Sequence, residues 1–197
     1  MKYQRGMRSL IFCFMFMVRF CFGNSQVMAQ DTSLIHLITL DPGHFHAALV
    51  QKYMYKQIAP VVNVYAPKGP DLEAHLGLVK KYNTRSVDPT SWKENVYTGP
   101  DYFEKMLQEK PGGVVVIAGN NRKKMEYIKR SVDAGMNVLA DKPMAVTTGD
   151  FNTLKAAFAD AKKKKVLLYD IMTSRYEITN ILQKDFLHMP EVFGELA

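Results

Sequence analysis

Apolar positions along the chain follow two alternating rhythms. Short continuous runs, Leu34–Leu40, Val61–Tyr65, Gly113–Ala118, Asn137–Ala140 and Val166–Tyr169, read as strands buried on both faces, and a further short strand is expected near Val96. Between these runs apolar residues recur at helical spacing. One helix is predicted from His44 to Ile58, stopped by Pro60, and another over Asp71–Tyr82 with Leu72, Leu76 and Val79 on one face. A third runs from Pro100, in its first turn, to about Glu109, with Phe103 and Leu107 aligned. A fourth follows Gly119-Asn120-Asn121, stacks Met125, Ile128 and Val132, and ends at Gly135. Thr148 is the expected cap of a fifth, whose inner face would be Phe151, Leu154, Phe158 and Ala161. Strands that alternate with helices and carry no polar face predict an α/β protein: a doubly wound parallel sheet with helices on both faces.

The first 29 residues differ in kind. Lys2, Arg5 and Arg8 precede an apolar run from Leu10 to Val18, and Val27-Met28-Ala29 offers a small-residue cleavage site before Gln30. Basic start, short apolar middle and cleavage site make the pattern of an export signal peptide, too short to span a bilayer, which takes about 20 apolar residues. The expected localisation is periplasmic or secreted, with no stable membrane anchor. The leader also changes the charge balance. It holds four basic and no acidic residues, leaving 22 basic against 19 acidic residues, a net charge of +3 beyond it. A basic isoelectric point that belongs mostly to the leader removes the support for a nucleic-acid partner. Both cysteines, Cys13 and Cys21, lie there too, so the remainder has no thiolate or disulfide chemistry.

The stretch that carries chemistry is Gly135-Met136-Asn137-Val138-Leu139-Ala140-Asp141-Lys142-Pro143-Met144-Ala145. A buried strand that ends in Asp-Lys-Pro sets two opposite charges at the carboxyl edge of the sheet, where open α/β sheets bind ligands. Pro143 fixes its own φ and biases Lys142 towards an extended backbone. An ion pair at a strand end is the simpler reading of the tripeptide alone; the order of elements around it favours a ligand site. The block Lys162–Lys165 reads as a solvated helix end near the negative pole of a helix dipole.

With these residues the chain resembles the Gfo/Idh/MocA (glucose–fructose oxidoreductase/inositol dehydrogenase) family over roughly residues 34–197. Ala134–Ala145 is similar to that family's AGKHVLCEKPLA pattern with Asp141 in place of Glu, Val115–Asn120 resembles its VVIATPN turn, and Ser174-Arg175-Tyr176 resembles its arginine-containing turn after the sixth strand. The resemblance implies a Rossmann-like NAD- or NADP-binding domain over 34–174. Residues 175–197 would be a linking helix (about Tyr176–Leu187) and the start of a C-terminal α/β substrate domain, whose first strand would open in Pro190–Ala197. It implies an oxidoreductase acting on a sugar or polyol-like substrate, with homo-oligomerisation through that second domain. Lys142 would be the catalytic residue, beside nicotinamide and substrate. The cofactor-binding set would be Asp41, Gly43, His44, Phe45, His46, Ala118, Asn120, Asp141, Lys142, Pro143 and Arg175. A half without its partner domain is expected to expose the apolar face which that domain would cover.

Departures from the family pattern are concentrated in the first loop. Where the family writes G-x-G-x-x-G, this chain has Asp41-Pro42-Gly43-His44-Phe45-His46. Gly43 alone survives, and Asp41 puts a carboxylate where phosphate would approach. Either His44 or His46 donates to phosphate instead, or the loop no longer holds a dinucleotide and the chain is a non-catalytic binding module. The end of the second strand, Tyr65-Ala66-Pro67-Lys68, lacks the acid that grips a ribose hydroxyl, and Lys68 would tolerate a 2′-phosphate, a hint towards NADP. Lys123 stands where many relatives have histidine. Two histidines at i and i+2 beside Asp41 resemble part of a metal site, but without a third clear ligand no metal is expected.

Overall fold

The computed structural model describes residues 34–110 and 113–195; the leader expected over residues 1–29 lies outside them. Six strands form one sheet: β1 (Leu37–Leu40), β2 (Val61–Tyr65), β3 (Lys93–Tyr97), β4 (Val114–Ile117), β5 (Asn137–Ala140) and β6 (Leu168–Asp170). Their order is β3-β2-β1-β4-β5-β6 and every pairing is parallel. The expected doubly wound α/β sheet is therefore present, and the order reverses between β1 and β4. Crossovers are made by α1 (His46–Leu49), α2 (Pro70–Thr84), α3 (Tyr102–Glu109), α4 (Asn121–Asp133) and α5 (Thr148–Lys164). A 3₁₀ turn at Thr173–Tyr176, then α6 (Ile178–Leu187) and α7 (Pro190–Phe193), follow the last strand.

The sheet forms around its central strands, which bury both faces, whereas the edge strand β3 has no buried residue. Ile38, Leu40, Val115, Ile117 and Val138 join Met106, Ile128 and Val132 in one core layer. Leu37, Val62 and Val64 meet Leu72, Val79 and Trp92 in the other. Apolar side chains facing both layers stabilise by about 25 cal/mol for each Å² removed from water.

Four local expectations change. The helix predicted over His44–Ile58 shrinks to the single turn of α1. The chain beyond it is held by tertiary donors instead: Trp92 Nε1 gives a hydrogen bond to the Gln51 carbonyl (2.6 Å) and Arg85 to that of Lys52 (2.7 Å). The chain then returns to pair with Ile35, whose amide donates to the Gln57 carbonyl. The cap of α5 is Thr147 and not Thr148, in a reciprocal capping box with Asp150. The inner face of that helix is Ala157 and Ala161 with Leu154, whereas Phe151 (54%) and Phe158 (46%) are exposed. Small side chains let α5 pack closely against α4, which turns the phenylalanines outward. Finally, the strand expected in Pro190–Ala197 is the helical turn α7. Among the described residues α6 buries none of its side chains, leaving Ile178, Leu182 and Phe186 exposed, as expected of an uncovered apolar face.

Candidate functional site

The crevice at the carboxyl ends of β1, β4 and β5 is closed from below by backbone. A Cβ on Gly119 would lie 2.3 Å from the Gly43 nitrogen and 2.7 Å from the Asp41 carbonyl. Only glycine lets the two loops touch there. The amides of Gly43 and His44 both donate to the Ala118 carbonyl, at 2.8 and 2.9 Å. These contacts pin the first loop to the end of β4 and engage two amides that a phosphate would otherwise claim. Asp41 and Asn120, the residues that leave β1 and precede α4, both have positive φ (44° and 20°), and Asn120 Nδ2 donates to Asp41 Oδ2 at 3.3 Å. The same oxygen accepts from the Tyr127 hydroxyl at 2.7 Å. Burial, then the Tyr102 and Asp41 partners, push the Tyr127 hydroxyl's pKa upward and keep it a donor. Asp41 is thus held by hydrogen bonds beside the crevice.

Asp141 is the centre of the opposite wall. It is buried, and its Oδ1 accepts from His46 Nδ1 (2.9 Å) and from the Lys142 amide (2.8 Å). His44 Nδ1 lies 3.0 Å from Oδ2 but is misaligned for a hydrogen bond, so that nitrogen has no partner among the described residues. Lys124, only 1% exposed, donates to Asn121 Oδ1 (2.8 Å) and to the Lys142 carbonyl (3.4 Å). Burial holds its ammonium below the usual lysine range against the pull of Asp141, with Lys142 lowering it further. Burial likewise keeps the His44 imidazole below its ordinary range despite Asp141, so it stays neutral and able to accept a proton. His44, Asn120, Lys124, Asp141, Lys142 and Pro143 line one crevice of about 210 Å³. The Lys142–Pro143 peptide is cis.

Residues 43–169 match the Gfo/Idh/MocA oxidoreductase family, NAD-binding Rossmann fold. The chain belongs to that family. This stretch of the Gfo/Idh/MocA chain is its NAD-binding Rossmann domain, and the family binds NAD(P)H. The chain is similar to a putative oxidoreductase from Parabacteroides merdae, with 56% identity over 83% of this chain and 37% of that one, TM-score 0.79. It shares its fold with scyllo-inositol dehydrogenase from Lactobacillus casei (15% identity, 82% of this chain and 44% of that one, TM-score 0.55). The same holds for myo-inositol 2-dehydrogenase from Lactobacillus plantarum (12% identity, 82% and 43%, TM-score 0.57). The chain spans less than half the length of each of these structures. No curated protein sequence matches it.

Part of the set anticipated for this Gfo/Idh/MocA domain comes together at one crevice. Gly43, His44, Asn120, Asp141, Lys142 and Pro143 line the crevice. Ala118 lies buried beneath it with its carbonyl engaged by the first loop. His46 is buried with Nδ1 committed to Asp141, whereas Phe45 is exposed. Arg175 belongs to the 3₁₀ turn, and its side chain lies outside the described part of the structure. The carboxylate facing the two histidines is Asp141, not Asp41. His44, His46 and Asp141 offer ligand-type atoms within 4.8 Å of one another, the one such group among the described residues. Lys124 already supplies positive charge beside Asp141, which disfavours a cation there.

Lys124 and His75 escaped the sequence reading, although helical spacing carried a signal for both. Lys124 shares a four-residue period with Ile128 and Val132, and His75 lies between Leu72 and Val79 on the inner face of α2. A polar residue in register with a buried face is the informative case.

Proposed function

We propose that this chain is the cofactor-holding part of an oxidoreductase that moves a hydride between NAD(P) and a sugar or polyol-like substrate. The observation that carries the reading is the convergence of Lys142, His44 and Asn120 on one crevice at the point where strand order reverses. That is where doubly wound sheets bind dinucleotides. The residues fit the cofactor: two glycines meet to make a floor, and buried Lys124 gives the crevice a fixed positive charge that suits an anionic ligand. NAD(P), when bound, supplies the hydride-carrying chemistry. Asn120 and Lys142 flank the space beside it, and Asp141 holds the Lys142 amide, which sets the direction of the lysine's backbone. In this reading the Lys142 ammonium orients a substrate hydroxyl or carbonyl and exchanges its proton, with His44 as a neutral neighbour able to accept one. Polar, hydroxyl-rich substrates suit a crevice walled by lysine, asparagine and imidazole.

Lys142→Ala in the full-length oxidoreductase should lower kcat at least 100-fold while changing cofactor Kd less than about 5-fold; equal kcat would remove the assigned role. A second reading, a binding module without catalysis, is favoured by the engagement of the Gly43 and His44 amides with Ala118. Near-ultraviolet absorbance of bound reduced cofactor in the purified protein separates the two. The first 29 residues remain our proposal for an export leader, which an N-terminus at Gln30 in the exported protein would support.

A further inference from the structure

Gly43, His44, Asn120, Lys124 and Lys142 line the crevice, whereas Asp41, at the end of β1, does not. Its backbone is left-handed (φ 44°), and its carbonyl packs against Gly119, where a Cβ would lie 2.7 Å away. The carboxylate is bonded towards α4: Oδ2 accepts from the Tyr127 hydroxyl at 2.7 Å and from Asn120 Nδ2 at 3.3 Å. Tyr127 is 2% exposed, and behind it lies buried Tyr102, the two hydroxyl oxygens 2.6 Å apart. A hydroxyl has one proton to give. Tyr127 gives its proton to Asp41, so Tyr102 is the donor between the two tyrosines. The Tyr102 oxygen in turn accepts from Lys123 Nζ at 3.4 Å. The donors therefore all point one way, from a cation through two buried phenols to an anion, and each bond polarises the next. Burial and its two partners push the Tyr127 pKa upward, so the donor keeps its proton. Phe103 packs edge-on against the Tyr127 ring, with centroids 4.8 Å apart.

Two phenylalanines would fill the space between α3 and α4 without desolvating a hydroxyl. What the hydroxyls add is a fixed direction for the Asp41 carboxylate. A carboxylate free to swing over the crevice would oppose the positive charge of buried Lys124. A like charge within about 10 Å at a protein surface is enough to weaken an anion's binding about tenfold. We propose that Tyr127, backed by Tyr102 and Lys123, is a positioning residue that ties the Asp41 carboxylate to α4 and so keeps the crevice open to an anionic cofactor. The inference rests on the oxidoreductase reading above. It accounts for a first loop that carries an aspartate at the point where phosphate was expected to approach.

The test is a double-mutant cycle on the full-length protein, with Kd for NADH and for NADPH measured by calorimetry at low and at high salt. Tyr127→Phe should weaken the tighter-binding cofactor about 5- to 10-fold at low salt, and less at high salt, where the released carboxylate is screened. In the Asp41→Asn background the same substitution should change Kd less than about 2-fold, because no charge is left to release. Tyr102→Phe, one bond further back, should give a smaller loss with the same dependence on Asp41, and it carries the cycle if Tyr127→Phe does not fold. Circular dichroism identifies the folded variants. Equal weakening in both backgrounds would make the tyrosines packing residues only, and no weakening by folded Tyr127→Phe would show the carboxylate held without it. Either result overturns the inference and leaves the oxidoreductase reading in place. Binding of neither cofactor to folded wild type or folded Asp41→Asn overturns that reading as well.

Discussion

The two flanks of the first loop are built on opposite principles. On the β5 flank the two buried charged groups are answered within the protein: Asp141 accepts from His46 and the Lys142 amide, and buried Lys124 is bonded to Asn121 and the Lys142 carbonyl. On the α2 flank the carboxylate of Asp71 is exposed and the buried His75 ring has no partner among the described residues. Low dielectric strengthens a satisfied network and penalises an unsatisfied one. The first flank is therefore a fixed scaffold for chemistry, and the second keeps the cost of an unpartnered ring.

Breaking the scaffold should have the largest effect. Asp141→Ala strands the buried Lys124 charge and frees His46 at once, and should cost about 3–5 kcal/mol in urea-induced unfolding. A loss under about 1 kcal/mol would mean that the network does not hold the flank. Gly119→Ala pushes a methyl group against the Gly43 amide and the Asp41 carbonyl and should cost about 3 kcal/mol by separating the two loops. Loss of cofactor binding should accompany it.

A subtler contrast is in pH. His75 has its folded pKa lowered to about 4 by burial, so the stability tied to it is present above about 6.5 and is lost as pH falls through 4. Glu94, hydrogen-bonded by Gln51, has its pKa raised to about 7 by burial against that bond. Its contribution is present below about 4.5 and is lost as pH rises through 7. The two slopes oppose one another between pH 4.5 and 6.5, which flattens the combined dependence of this flank. Glu94→Gln should gain on the wild type across that range, by at most about 3 kcal/mol near pH 7.5, and little at pH 4.5. A difference independent of pH would show that Glu94 is ionised in the fold. The smallest effect is expected at Asp71→Asn, within about 0.5 kcal/mol of wild-type stability, since its carboxylate is exposed.

The sheet was legible because its central strands are continuous apolar runs, with β-branched Val114–Ile117 the clearest of them. The shortened α1 was not, since the donors that hold the chain just beyond it, Trp92 and Arg85, come from about 30 to 40 residues further on. The same distance in sequence explains the site. Lys142 and Asn120 could be placed from local motifs, whereas the meeting of Gly43 with Gly119, and of both histidines with Asp141, depends on strands that are neighbours only after folding. Lys124 and His75 were readable from helical register and would have been found by asking which polar residues share a face with buried ones.

The central claim, that a dinucleotide lies along the crevice, is tested most directly by amide hydrogen exchange of the chain with and without saturating NADH or NADPH. The account predicts added protection in segments 42–46 and 118–124, with little change along α5. Unchanged exchange in a folded protein, or protection confined to other segments, would contradict it.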